Sequence, residues 1–216
     1  MYSTQDLKDD HVTLRRVKNI LERCSDKLYA NANIPIEDIE IISVVIEEFA
    51  DKFHHGKEEQ AYFPGTKGND RFKEDIRKFL IEHELGRRIA IMLRRELNVW
   101  KENKNKKMQA AEEREKETEV SEHDKKLFMG NMDLKIKEPI ARFLKSYAVF
   151  IADHTGKEDK FFDLVQEANI ISEKKDQMLL RHYEACKNQI GGQAKIEQIM
   201  RLIEYLEGTW WMVKNK

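Results

Sequence analysis

Apolar residues recur at three- and four-residue intervals along most of the chain, the spacing of helices that bury one face. Leu7, Leu14, Val17, Leu21 and Leu28 form one such stripe and predict a first helix from about Gln5 to Tyr29. The stretch Asn31 to Pro35 breaks it. Ile36 opens a second helix behind the proline, with Ile39, Ile42, Ile46, Phe49 and Phe53 on its inner stripe and a stop near Phe63-Pro64. Gly65 to Asp70 reads as a loop, and a third, long helix follows from about Phe72 through Trp100. From Lys101 to about Lys126 the stripe gives way to charged residues, which predicts a solvated helical extension or a mobile crossover. A fourth helix is expected from about Leu134 to Ala168, with Pro139 near its start.

The last segment, roughly Ser172 to Trp211, is helical again and interrupted at Gly191-Gly192. Met178, Leu179, Tyr183, Ile196, Met200, Ile203 and Leu206 give it two amphipathic stretches, suited to packing on the rest of the chain or on a second copy in a homodimer. Trp210 and Trp211 could anchor that packing. With no strand pattern, the expected fold is all-α: an up-down-up-down four-helix bundle over residues 1–170 and a C-terminal helical appendage over 171–216.

Composition supports long, solvated helices, since 37% of the residues are charged and only three are proline. The net charge of -1 gives no bulk attraction for nucleic acid or membrane, so neither is expected as a partner. Cys24 and Cys186 are far apart and form no CxxC pair, which fits a reducing compartment better than a disulfide framework. MYSTQDLKDDH at the N-terminus has no apolar stretch of signal-peptide type, and no window approaches a membrane span. The expectation is a soluble, cytoplasmic protein.

Two segments repeat one short pattern: His54-His55-Gly56-Lys57-Glu58-Glu59 and His154-Thr155-Gly156-Lys157-Glu158-Asp159. A His and a Glu four apart on a helix project from the same face. A wheel drawn at ~100° per residue groups Ile140, Phe143, Tyr147, Phe150, Glu158, Phe161 and Val165 around His154, inside the apolar stripe. A buried carboxylate needs a partner of high charge density, and a metal ion is the natural one. The same wheel puts His54 at the edge of the second helix's core face and His55 nearly opposite, facing water. That selects His54/Glu58 as ligands and leaves His55 and Glu59 as supporting or surface groups. His83 shares a face with Phe72, Ile76, Phe79 and Leu80, and His11 lies at the margin of the first stripe. Four imidazoles and two bridging carboxylates can hold two metals with room for a solvent-derived bridge. Such mixed nitrogen and oxygen ligation suits iron or manganese better than structural zinc. No histidine of the four has a glutamate three residues before it, unlike the Glu-x-x-His sites of ferritin-like bundles.

DDH at Asp9 to His11, FHHGKEEQAYFP at Phe53 to Pro64, EHELGRR at Glu82 to Arg88 and DHTGKEDKFF at Asp153 to Phe162 resemble the hemerythrin-like family, or HHE cation-binding domain. The order fits from about Leu7 to Ala168, the charged stretch excepted. The resemblance implies a di-iron centre with His11, His54, His83 and His154 as terminal ligands and Glu58 and Glu158 as bridges; manganese and zinc are alternatives. It implies binding of a small diatomic ligand, O2 or NO, in oxygen or iron sensing or in oxidative and nitrosative stress protection. A redox enzyme or an iron–sulfur repair protein would use the same centre, and a metal-stapled structural bundle is the third reading. Oxygen carriers of the family have a fifth histidine one turn after the third-helix ligand. Here that position is Arg87, which either pairs with a carboxylate near the site or reaches solvent. Tyr147 on the inner face either bonds a metal-bound ligand or is an ordinary core tyrosine.

Overall fold

The computed structural model describes residues 1–66, 70–115 and 122–213. Its described residues are helical almost throughout, and no strand occurs among them. Helix α1 spans Tyr2–Tyr29. Helix α2 spans Ile36–Val45 behind Pro35, whose missing N–H costs nothing at a helix start. The chain then continues as π-helical turns over Ile46–His55 and Glu58–Tyr62 and closes with the short α3, Phe63–Thr66. After a 3₁₀ turn at Asp70–Phe72 come α4, Lys73–Glu115, and α5, Glu122–Glu167. Helices α6, Glu173–Gln189, and α7, Gly192–Glu207, complete the chain. Gly191 and Gly192 join them at φ 113° and 75°, a left-handed backbone that favours glycine.

Two helices are longer than the apolar pattern predicts. Helix α4 runs past Trp100 to Glu115, and α5 begins at Glu122 rather than near Leu134. The charged stretch is therefore a helical extension on both sides, and residues 116–121 lie outside the described residues, as do 67–69 of the expected loop. Pro139 sits well inside α5 instead of near its start. Proline forfeits one backbone bond, a loss that helix on both sides can absorb.

Helix α1 packs on α5, α5 on α4, α4 on α2 and the π turns, and these on α1, which closes a ring of four helical segments. Inside it the apolar residues form two clusters. One includes Leu14, Val17, Phe49, Phe53, Ala90, Leu93, Tyr147 and Ile151; the other includes Leu7, Ala61, Tyr62, Phe79, Phe161 and Val165. On each of the four segments the boundary between clusters falls at the same level: between Leu7 and Leu14, Phe53 and Ala61, Phe79 and Ala90, Ile151 and Phe161. The histidines and glutamates singled out in the sequence occupy those four gaps.

The C-terminal helices pack on this same chain. Ile199, Ile203, Leu206 and Trp211 belong to the first cluster, and Leu179 and Tyr183 to the second. Buried Asp38 accepts hydrogen bonds from Trp211 Nε1 (2.8 Å) and Tyr205 Oη (2.9 Å), which pins the chain end to α2. Trp210 faces solvent. At the other end, Asp176 of α6 accepts from the backbone N–H of Tyr2 and Ser3 and so caps the start of α1 from a distant helix. No helix among the described residues is long and apolar enough to cross a membrane.

Candidate metal centre

Each of the four segments lends side chains to one buried polar layer. His11 comes from α1, His54 and Glu58 from the π-helical stretch, His83 from α4, and His154 and Glu158 from α5. All six are at most 1% exposed. Glu58 Oε1 lies 3.5 Å from His54 Nε2 and its Oε2 3.3 Å from His83 Nε2. Glu158 Oε2 lies 3.2 Å from His154 Nε2 and 3.4 Å from His11 Nε2, and its Oε1 is 3.4 Å from His83 Nε2. Each carboxylate thus spans imidazoles from different helices.

These approaches are close but not aligned as hydrogen bonds. Both oxygens of Glu58, both of Glu158, and Nε2 of His83 and His154 are buried without a partner. Buried polar atoms are nearly always satisfied, and six orphaned ones converging on one point call for a cation. His11 Nε2 and His54 Nε2 meet at 3.1 Å, the spacing of two donors aimed at a common centre. Two overlapping groups have ligand atoms within 4.8 Å of one another: His11, His54, Glu58 and Glu158, and His55, Glu58, His83 and His154. The donor set fits two metal ions sharing a carboxylate.

The outer face of each imidazole is held by an acid, and the acid always comes from the neighbouring segment. His54 Nδ1 donates to Asp10 of α1 at 3.2 Å, and His83 Nδ1 to Glu59 at 2.7 Å. His154 Nδ1 donates to Glu82 of α4 at 2.8 Å, and His11 Nδ1 to Asp159 of α5 at 2.8 Å. A carboxylate only accepts, so Nδ1 carries a proton and Nε2 is the nitrogen turned inward, its lone pair open to a metal once any second proton has left. The four acids close a ring around the bundle, each beside one site residue in sequence and serving the histidine of the next helix. Each is paired in turn with a cation: Asp10 with Lys57 (2.5 Å), Glu59 with Arg87 (2.7 Å), Glu82 with Lys157 (2.7 Å) and Asp159 with Arg15. Burial opposes ionisation of Asp10, Glu59 and Asp159, but the imidazoles and cations outweigh it, so all three stay below the usual carboxylate range. Glu82 is held low first by its bond from His154. Lys57 is 1% exposed, and although burial resists its charge, Asp10 and Asp6 keep it protonated.

The metal-free layer favours positive charge at its centre. His11 is pushed up to about 9: burial opposes its charge, yet Asp159 and Glu158 prevail. His83 is raised well above its ordinary value against the same desolvation, by Glu158, Glu58 and Glu59. Glu158 is held well below the carboxylate range despite complete burial, because His154, His11 and His83 surround it. A bound cation would take over the charge that these protons supply.

Aromatic rings line the layer. Phe162 stacks on His11, Phe63 on His83 and Phe150 on His154, with centroids 5.0–5.9 Å apart. Phe150 fits because α4 carries Gly86 opposite it; a Cβ there would lie 2.7 Å from Phe150 Cε1. Tyr147 is buried and borders a cavity of about 130 Å³ whose walls include His55, Asp51, Arg87 and Arg94. Arg87 takes the first of its two expected roles: Nε donates to Asp51 and Nη2 to Glu59, both at 2.7 Å.

His55 contradicts the expectation of a water-facing residue. It is 2% exposed and lies flat on His83, with ring centroids 3.8 Å apart. The wheel assumed α-helical geometry, but His55 ends a π-helical stretch whose i→i+5 turns take more residues, so the projected angle runs ahead of the real one. Glu59, expected as a supporting or surface group, takes the supporting role as the acceptor for His83. Sequence reading missed Asp10, Glu82, Asp159 and Lys57. Their signal was adjacency to a site residue, but which histidine each serves is a property of helix packing.

The family model for the hemerythrin HHE cation binding domain matches residues 3–162. The chain belongs to that family. No curated protein and no solved structure matches it. The matched region of this HHE-domain protein contains every residue of the buried polar layer and ends at Phe162, which stacks on His11.

Proposed function

We propose that this HHE-domain protein is a non-haem di-iron protein that binds O2, NO or a related small ligand, in oxygen or iron sensing or in oxidative or nitrosative stress protection. The observation that carries the reading is the set of orphaned inward atoms: the four oxygens of Glu58 and Glu158 and the unpartnered Nε2 atoms of His83 and His154. His11, His54, His83 and His154 would be terminal ligands, and Glu58 and Glu158 would bridge the ions. Oxygen and imidazole donors together suit iron, with manganese and zinc as competitors. Iron held here would supply a reversible redox change and an open coordination position.

The chain's own residues do the rest. The Asp10, Glu59, Glu82 and Asp159 carboxylates fix the tautomer and angle of each imidazole. Phe63, Phe150 and Phe162 keep bulk water from the polar layer, which favours a small neutral ligand over a large or charged one.

The test is anaerobic reconstitution with ferrous iron, metal analysis, and optical spectra with and without O2, NO and azide. About two iron ions per chain and reversible, stoichiometric spectral changes are expected. Fewer than about one ion per chain would overturn the metal reading. Steady turnover of NO or peroxide with an electron donor would make the protein a redox enzyme. A spectrum indifferent to all three ligands would leave the metal as a structural staple.

A further inference from the structure

We propose that His55 is a fifth imidazole ligand, which makes the two metal positions unequal. One ion would be held by His55, His83 and His154, and the other by His11 and His54, with Glu58 and Glu158 shared between them. This rests on the di-metal reading above and goes beyond the ligand set drawn from the sequence.

Four observations carry it. The ligand atoms of His55, Glu58, His83 and His154 lie within 4.8 Å of one another, as do those of His11, His54, Glu58 and Glu158, so Glu58 belongs to both groups. His55 is 2% exposed, and its Nδ1 is buried without a hydrogen bond. Nδ1 faces Asp51 Oδ1 at 3.6 Å, a longer form of the imidazole–carboxylate contact made by the other four histidines. A buried imidazole lacking such partners is unfavourable unless something else uses its nitrogens. Arg87, one turn after His83 on α4, is directed to Asp51 and Glu59, so α4 offers no second nitrogen on this side.

The local backbone agrees. An α-helical continuation would carry His55 away from the core, and the π-helical turns bring it in beside His54. Such turns are uncommon and concentrate at functional sites. With three imidazoles on one ion and two on the other, the emptier ion is the one at His11 and His54.

The competing explanation is that His55 serves only as a ring stacked on His83 at 15° between planes. His55→Phe separates the two, since phenylalanine keeps the stack and has no nitrogen. Wild type and variant would be titrated anaerobically with ferrous iron, with metal per chain measured after desalting and Co(II) spectra recorded in parallel. The variant is expected to bind one ion as wild type does and the other about ten-fold more weakly or worse, the scale of lost shell partners. A changed Co(II) ligand-field spectrum should accompany it. Two ions at wild-type affinity with an unchanged Co(II) spectrum would overturn the proposal. If His55→Phe fails to fold by circular dichroism, His55→Ala decides. Loss of the second ion that added imidazole restores supports ligation; no loss, or a loss imidazole does not relieve, overturns it. Wild type binding no iron would instead defeat the di-metal reading itself.

Discussion

Arg87→Met removes the guanidinium and keeps the side chain's length. Arg87 donates to Asp51 and Glu59 at 2.7 Å each, and the same Glu59 oxygen accepts from His83 Nδ1 at 2.7 Å. Buried hydrogen bonds to charged groups contribute ~1.5–3 kcal/mol each, and exposed ion pairs only ~0.2–1 kcal/mol. The side chains of Arg87, Asp51 and Glu59 are 31%, 29% and 26% exposed, which places these bonds between the two cases. The pair should therefore contribute about 1.5–2 kcal/mol by those scales. At ~2–4 °C per kcal/mol for a chain of this size, the metal-free Tm should fall by roughly 3–8 °C. Glu59 keeps its bond from His83 in the variant but loses its anchor, so iron affinity should fall by up to about ten-fold, the low end of the outer-shell range. Glu59→Ala releases His83 outright and should cost about 10–100-fold. Because Arg87 reaches the site through Glu59, the double variant should be little worse in affinity than Glu59→Ala alone. Thermal melts in EDTA and anaerobic ferrous titrations measure both effects. Additive losses in affinity, or an Arg87→Met protein identical to wild type, would refute the relay.

Three further outcomes follow from the same geometry. In the metal-free protein His11 is pushed up to about 9 by Asp159 and Glu158 against its burial, so iron must displace a proton there; apparent iron affinity should rise with pH up to about 9, and a flat titration from pH 6.5 would contradict this. Asp176→Ala should cost ~1–2 kcal/mol and speed amide exchange in the first turn of α1, as loss of a helix cap does. Burial resists the charge of Asp176, but bonds from Ser3 and Tyr2 hold its carboxyl below the ordinary value. Its contribution is therefore present above about pH 4 and lost as pH falls through the folded-state value, a dependence urea melts of Asp176→Asn should lack. Trp211→Ala should destabilise by ~3–5 kcal/mol, since the ring is fully buried, whereas Trp211→Phe should cost ~1–3 kcal/mol by leaving Asp38 short of a donor; denaturant melts in which Trp211→Phe matches wild type would show that the hydrogen bond is immaterial.

The stripes at Leu7 to Leu28, Ile39 to Phe53 and Ile140 to Val165 determined the helices and their buried faces, because periodicity near 3.6 residues is a local property of the chain. The same stripes determined most of the centre. His154 and Glu158 interrupt an apolar face, and a charged interruption there can persist only with a partner. Helix ends were less legible. The charged residues after Trp100 carry no stripe, yet α4 continues through them to Glu115, since helix-forming side chains need no core to extend an established helix.

Only the tertiary structure decided the rest of the site. His55 was read as facing water because a wheel presumes a constant turn, and the π-helical stretch at Ile46–His55 breaks that presumption. Asp10, Glu59, Glu82 and Asp159 stand beside site residues in the sequence, but each bonds a histidine on the next helix. The two directions open to Arg87 were resolved by where Asp51 and Glu59 lie. The sequence thus determined which residues the regular α-helical faces bring to the polar layer, His55 on its π-helical turn excepted, a matter of angle along one axis. Which acid orients which imidazole, and which imidazoles and carboxylates lie within reach of one another, depend on distances between axes, and those exist only once the four segments have packed.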